Sequence, residues 1–177
     1  MRQNPQNVSP MSNEGRNAYV IEHLTNAMLK LLRDKPLGEI SISELIEEAG
    51  VGRASFYRNF EDKADILKAY LNKIFHEWVD EYEKSPERPL SEQLRTLFAH
   101  FEKYRDFYTL LNDRGLLWLL KDVVVWIFGP KPEHSQVEAY SRAYAAYVLY
   151  GWIEVWFQRG MQESAEEIAA LFKSQGF

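Results

Sequence analysis

Between Gly52 and Glu61 the chain reads Arg53-Ala54-Ser55-Phe56-Tyr57-Arg58-Asn59-Phe60. At helical spacing Phe56 and Phe60 share one face, which leaves Arg53, Ser55, Tyr57, Arg58 and Asn59 turned outward. A guanidinium can pair bidentately with a guanine edge, and hydroxyl and amide groups can bond phosphates or bases. Such an outward set on a short helix suits a nucleic-acid surface. Elsewhere the chemistry thins out. His23, His76, His100 and His134 are scattered, there is no phosphate-cradling glycine loop, and no nucleophile stands in a recognisable elbow, so an enzyme is not expected. His76-Glu77-Trp78-Val79-Asp80 approaches the H-E-x-x-H zinc pattern, but Asp stands in place of the second His and no third ligand lies near. Neither a metal nor any other cofactor is expected.

The elements that must hold the outward set can be read from caps and turns. Ser41 and Glu44 have the S-x-x-E spacing of a capping box, so a helix begins there. Ile42, Leu45, Ile46 and Ala49 give it an apolar face, and Gly50 is the residue type that closes a helix in the left-handed conformation. After Gly50-Val51-Gly52 the second helix starts at Arg53. A short helix, a tight glycine turn and a short polar helix make a helix-turn-helix, whose second helix enters the major groove by its N-terminal end. Ahead of it, Tyr19, Val20, Leu24, Ala27, Met28, Leu31 and Leu32 recur at three- and four-residue intervals and predict a packing helix over 16–33, with Leu37 and Ile40 plugging the seam between the three helices. Behind it, Ile66, Leu67, Tyr70, Leu71, Ile74, Phe75 and Trp78 predict a long helix over 63–82.

The ordered set Ile40-Ser41-Ile42, Leu45, Ala49-Gly50-Val51, Phe56-Tyr57, Phe60, Lys63 and Ile66-Leu67 closely resembles the DNA-binding domain of the TetR/AcrR transcriptional regulators. Two positions depart from it: Gly52 stands where the family usually has Ser or Thr, and Asn59 where it often has His. The resemblance implies that Ser41, Ser43, Arg53, Ala54, Ser55, Tyr57, Arg58, Asn59 and Lys63 face double-stranded DNA, Lys63 by neutralising a phosphate. It also implies that the helix over 63–82 joins this head to an effector-binding body. The competing reading is a helical dimerisation or protein-interaction module without DNA binding.

At 177 residues, 46% hydrophobic and 27% charged, the chain has enough material for a substantial core. The absence of cysteine excludes disulfides and thiolate metal sites. The formal net charge of −5 is the wrong sign for bulk attraction to DNA, so binding must rest on a local patch, the acidic balance being attributed to the larger second half. The apolar run 116–128 contains Lys121 and Asp122 and is too short to span a bilayer. Residues 1–14 are polar and read as a disordered arm without the apolar core of an export signal, which makes the cytoplasm the expected compartment. Three parts follow: the arm over 1–14, a helix-turn-helix domain over 15–62, and a helical body over 63–177. The fold class expected is all-α, a three-helix head plus a helical body, about nine helices in all.

The body breaks at Lys84-Ser85-Pro86-Glu87-Arg88-Pro89, after which Ser91 is a candidate cap for the next helix. It is rich in aromatic residues, and the helix over 137–157 is apolar on more than one side, more than the core of a monomer requires. The resemblance implies a homodimer built on the last two helices, with Ala139, Ala143, Ala146, Tyr150, Phe157, Ile168 and Phe172 at the interface. It likewise implies a pocket, with Tyr104, Tyr108, Trp118, Trp126, Tyr144 and Tyr147 lining it. Aromatic faces with few inward charges suit an effector that is apolar, flat or cationic. The Tyr150-Gly151-Trp152…Trp156 pattern, with Gly160-Met161 after it, is similar to the TetR branch that contains regulators of dihydroxyacetone kinase.

Overall fold

The computed structural model describes residues 13–84 and 89–175. Nearly all of the expected arm, and the middle of the expected break at 84–89, lie outside the described residues. Among those described there are nine α-helices and no strand. They are α1 (Asn13–Asp34), α2 (Ile42–Ala49), α3 (Arg53–Asn59), α4 (Ala64–Glu83), α5 (Leu90–Lys103), α6 (Arg105–Asp113), α7 (Trp118–Phe128), α8 (Gln136–Gln158) and α9 (Ala165–Ser174), with a 3₁₀ turn at Leu37–Glu39. Two compact units result, the first ending at Tyr70 and the second beginning at Leu71. The first turns of α4 therefore belong to the head and its remainder to the body.

The head is built on the signals its sequence carries. Ser41 is the N-cap of α2, its hydroxyl accepting from the Glu44 amide at 3.1 Å. The Glu44 carboxylate takes Lys35 Nζ at 2.6 Å, and that bond first, with weaker help from the Ser41 amide, holds it below the usual carboxylate range. Gly50 closes α2 at φ 64°, and the Gly50 and Val51 amides return to Glu47 and Ile46 at 3.1 and 3.0 Å. That pairing satisfies carbonyls a helix end would otherwise leave open. Leu24, Met28, Leu32, Ile40, Leu45, Phe56, Ile66 and Leu67 are wholly buried and form the core of the unit. Leu37 is only half-buried. Tyr19 departs from its expected place on the apolar stripe of α1, being exposed with its ring 3.9 Å from that of His23.

The body is held by rings. Phe75, Phe98, Phe101, Tyr108, Trp156 and Phe157 form one cluster, with neighbouring centroids between 4.9 and 6.5 Å apart. Each is buried, and burial of a large apolar side chain contributes about 1.5–3 kcal/mol. His100 is buried among them, and its Nε2 shares a 3.1 Å hydrogen bond with the Tyr108 hydroxyl. Burial, and then the nearby Lys103, push His100 down to about 4, with Glu77 opposing weakly, so the imidazole is neutral at neutral pH. α8 and α9 both begin in full capping boxes, Ser135 with Glu138 and Ser164 with Glu167. Helix α5 starts after Pro89, so Ser91 lies inside its first turn and is not the cap. Between α8 and α9 the chain turns through Gly160 at φ 77° and Met161 at φ 52°. Arg105 fixes that turn by donating to both carbonyls at 2.9 and 2.6 Å.

Candidate nucleic-acid interface

α3 is seven residues long and presents what its spacing requires. Phe56 and Phe60 are buried with centroids 6.1 Å apart, and Arg53, Ala54, Tyr57 and Arg58 are exposed. At roughly 100° per residue, Arg53, Ala54 and Tyr57 fall within an arc of about 100° on the helix. The Tyr57 ring stands edge-on to Phe56 at 5.1 Å, which aims it away from the core. Arg53 Nη2 donates to Ser43 Oγ at 2.7 Å, joining the N-terminal ends of α2 and α3. This partner is neutral, so the guanidinium charge is not cancelled. Lys30 and Lys35 differ in this respect, since each is paired with a carboxylate, Glu48 and Glu44, at 2.6 Å.

The other expected contacts are placed less openly. Ser55 and Asn59 are half-buried, and Asn59 Nδ2 donates to the Ser55 carbonyl at 2.8 Å, so the amide serves the end of its own helix. With Arg58 they line an open groove of about 740 Å³ whose other wall is Arg16, Asn17, Tyr19 and Val20 of α1. The sequence reading missed Asn17 and Tyr19 in this role, because Tyr19 falls at the apolar spacing of α1. Lys63 is half-buried and donates to the carbonyls of Ile40 at 2.7 Å and Gly38 at 3.2 Å, tying the start of α4 to the turn before α2. Two of its three ammonium hydrogens are committed there. The acidic balance is not confined to the second half: over residues 13–70 there are eight Lys and Arg against ten Asp and Glu. The positive patch is α3 itself, which carries two Arg and no acid.

The sequence profile described as "Bacterial regulatory proteins, tetR family" matches residues 24–70, the stretch that holds α2, α3, the second half of α1 and the first turns of α4. The head thus matches the TetR-family helix-turn-helix profile. That domain is the DNA-binding part of a family of transcriptional regulators that are not enzymes. Two uncharacterized HTH-type transcriptional regulators of Bacillus subtilis (strain 168) are similar to the chain. YerO is 26% identical over 104 residues, covering 54% of this chain and 36% of its own. YxbF is 26% identical over 157 residues, covering 81% and 41%. The chain thus spans about two fifths of the length of the curated relatives it matches. A crystal structure of a TetR transcriptional regulator from Streptococcus agalactiae 2603V superposes with a TM-score of 0.63, covering 94% of this chain and 98% of that one. At 17% identity the likeness shows a shared all-helical fold.

In the body, the six aromatic residues expected in a pocket differ in burial. Tyr108 is buried against His100, and Tyr104 is half-buried with its hydroxyl donating to Glu77. Trp118, Trp126, Tyr144 and Tyr147 are exposed. None of the six lines the cleft of about 330 Å³ that the body does contain, whose described walls are Trp78, Tyr82, Gln93, Leu94, Leu97, Phe128, Ala145, Val148, Leu149 and Phe172. A second cleft of about 350 Å³ shares Trp78 and Tyr82 but is charged, with Glu77, Glu81, Arg95 and Lys103 on its walls.

The residues expected at an interface divide by their burial within one protomer. Ala146, Phe157, Ile168 and Phe172 are buried within the protomer, while Ala139, Ala143 and Tyr150 are half-buried. The reason is the phase of α8. Its buried face is Ala146, Leu149, Ile153, Trp156 and Phe157; its exposed face is Val137, Tyr140, Tyr144, Tyr147 and Val155, with Gly151 in the gap. At 3.6 residues per turn these faces are roughly 170° apart. Tyr144 and Tyr147, expected in a pocket, stand on the exposed one.

Proposed function

We propose that the chain is a DNA-binding transcriptional regulator that holds a palindromic operator as a homodimer and releases it when a small molecule enters the body. The observation that carries the DNA reading is Arg53: exposed, uncancelled in charge and braced by Ser43 at the groove-entering end of α3. In this reading Arg53 reads a base edge, with Ala54 and Tyr57 beside it, while Arg58, Ser41 and Lys63 hold phosphates. Ser55 and Asn59 contribute by shaping the groove beside α1.

Support for the dimer is the outer face of α8, where Val137 is 77% and Tyr140 73% exposed, together with Leu171 of α9, also exposed. An apolar stripe of this length on a water-facing helix is the signature of a partner. Two copies joined there would present two α3 helices to successive major grooves, about 34–36 Å apart or a multiple of that. Within the family, the Tyr150-Gly151-Trp152 pattern supports the branch that contains dihydroxyacetone kinase regulators. A molecule that triggers release must bind the DNA-competent and DNA-incompetent forms unequally.

Selection of bound sequences from a random duplex library, read alongside sedimentation, tests the proposal. A palindromic consensus bound by a dimer is the expected result. An unenriched library with a stable dimer would instead favour the protein-interaction module.

A further inference from the structure

Ser43 is the second residue of α2 and Arg53 the first of α3, and the 2.7 Å bond from Arg53 Nη2 to Ser43 Oγ ties the tip of a side chain rooted on one helix to the other. Both residues are exposed, so the bond is no part of the core. Nor does α2 need that hydroxyl, because its cap is Ser41. What the bond does is restrict Arg53. A long side chain loses rotamer freedom when it is immobilised at an interface, and that loss opposes binding. With the tip already held by Ser43, part of the ordering precedes contact with DNA.

The brace leaves the arginine able to read a base. A guanidinium carries five N–H donors, Ser43 takes one, and a bidentate pair with guanine O6 and N7 needs two. A carboxylate at the same place would hold the group more firmly, but it would cancel the charge and turn an anion towards the phosphates. A serine hydroxyl does neither. The first helix of a helix-turn-helix crosses the backbone while the second enters the groove, which puts Arg53 at the base edges and Ser43 behind it. We infer that Ser43 is a positioning residue for base recognition, one that sets the rotamer in which Arg53 meets a guanine edge and reads no base itself. This rests on the DNA-binding reading above and deepens it: discrimination at one base pair of each half-site depends on a side chain of α2.

A double-mutant cycle on the full chain tests this. The unaltered chain, Ser43→Ala, Arg53→Ala and the double variant are titrated against the preferred duplex and its single-base variants, with Ser43→Thr as the conservative control. Ser43→Ala should weaken binding to the preferred duplex by roughly threefold to tenfold, the cost of ordering one free side chain. Discrimination should fall at the base pair read by Arg53 and nowhere else, with the salt dependence unchanged, and Ser43→Thr should restore both affinity and discrimination. In the Arg53→Ala background the loss of Ser43 should change nothing. Without DNA, ¹⁵N relaxation at Arg53 Nε should report a more mobile guanidinium in Ser43→Ala. A loss that persists in the Arg53→Ala background would mean that Ser43 touches DNA directly. Discrimination or Nε mobility indifferent to Ser43→Ala would mean that the bond orders nothing. Any of these results overturns the positioning role while the DNA reading stands. An unaltered chain that prefers no duplex, or an Arg53→Ala protein that keeps full discrimination, overturns the reading of Arg53 and the role of Ser43 with it.

Discussion

Burial of His100 makes the stability of the body dependent on pH in a window that opens well above the range in which ordinary carboxylates titrate. Its imidazole is pushed from an ordinary 6.5 to about 4 in the folded protein, so between those values the unfolded chain binds a proton that the folded one does not. Stability is therefore fully present above about pH 7 and is lost as pH falls through 6.5 towards 4. At about 1.4 kcal/mol per pH unit of separation the loss reaches about 3 kcal/mol. For a chain of this size that is about 6–12 °C in melting temperature. His100→Gln keeps a hydrogen-bonding group against the Tyr108 hydroxyl and cannot titrate. Urea unfolding of both proteins at half-unit steps from pH 7.5 to 4.5 isolates the effect, because every other titrating group is common to the pair. The two stability curves should converge as pH falls. Parallel curves across the window would refute the assignment of a neutral, buried imidazole.

Smaller perturbations probe the head and the outer face of α8. Gly52 caps α3 at φ −78° without a side-chain bond and with open space at its Cβ, so Gly52→Ser should stabilise the head by about 0.5–1 kcal/mol in denaturant titrations. Gly50→Ala, at φ 64°, should cost about 1–2 kcal/mol in the same assay. Lys63→Met removes the ammonium from the Gly38 and Ile40 carbonyls and should lower head stability by about 1–3 kcal/mol, measured without DNA. Tyr144→Asp, on the exposed face of α8, should leave the melting of a dilute monomer unchanged and shift sedimentation towards the monomer; Ala146→Asp, on the buried face, should unfold the body.

The head was legible because its signals are local. A hydroxyl at Ser41, a glycine at Gly50 and two rings four apart at Phe56 and Phe60 each act within one turn, and each is found where its spacing required. Lys63 was less so, because its carbonyl partners lie 23 and 25 residues earlier and no periodicity reports them. In α8 the pattern revealed two apolar faces without revealing which is inside. That choice is made by α6 and α7, which pack against the Leu149 and Ile153 side. A face of small alanines looked suited to a second copy, yet Ala146 is buried within its own protomer and the tyrosines face outward. The cleft was hidden for the same reason, since its walls come from five helices and no single stretch shows them.

Binding of Arg53→Ala to the selected operator and to its single-base variants, beside Arg58→Ala, tests the DNA reading most directly. Loss of Arg53 should cost about 1–3 kcal/mol on the preferred site and flatten discrimination at one base pair in each half-site. Arg58→Ala should weaken all sequences alike and reduce the salt dependence by about one charge. Discrimination that survives in Arg53→Ala, or vanishes in Arg58→Ala, would contradict the placement of α3 by its Arg53 end in the groove.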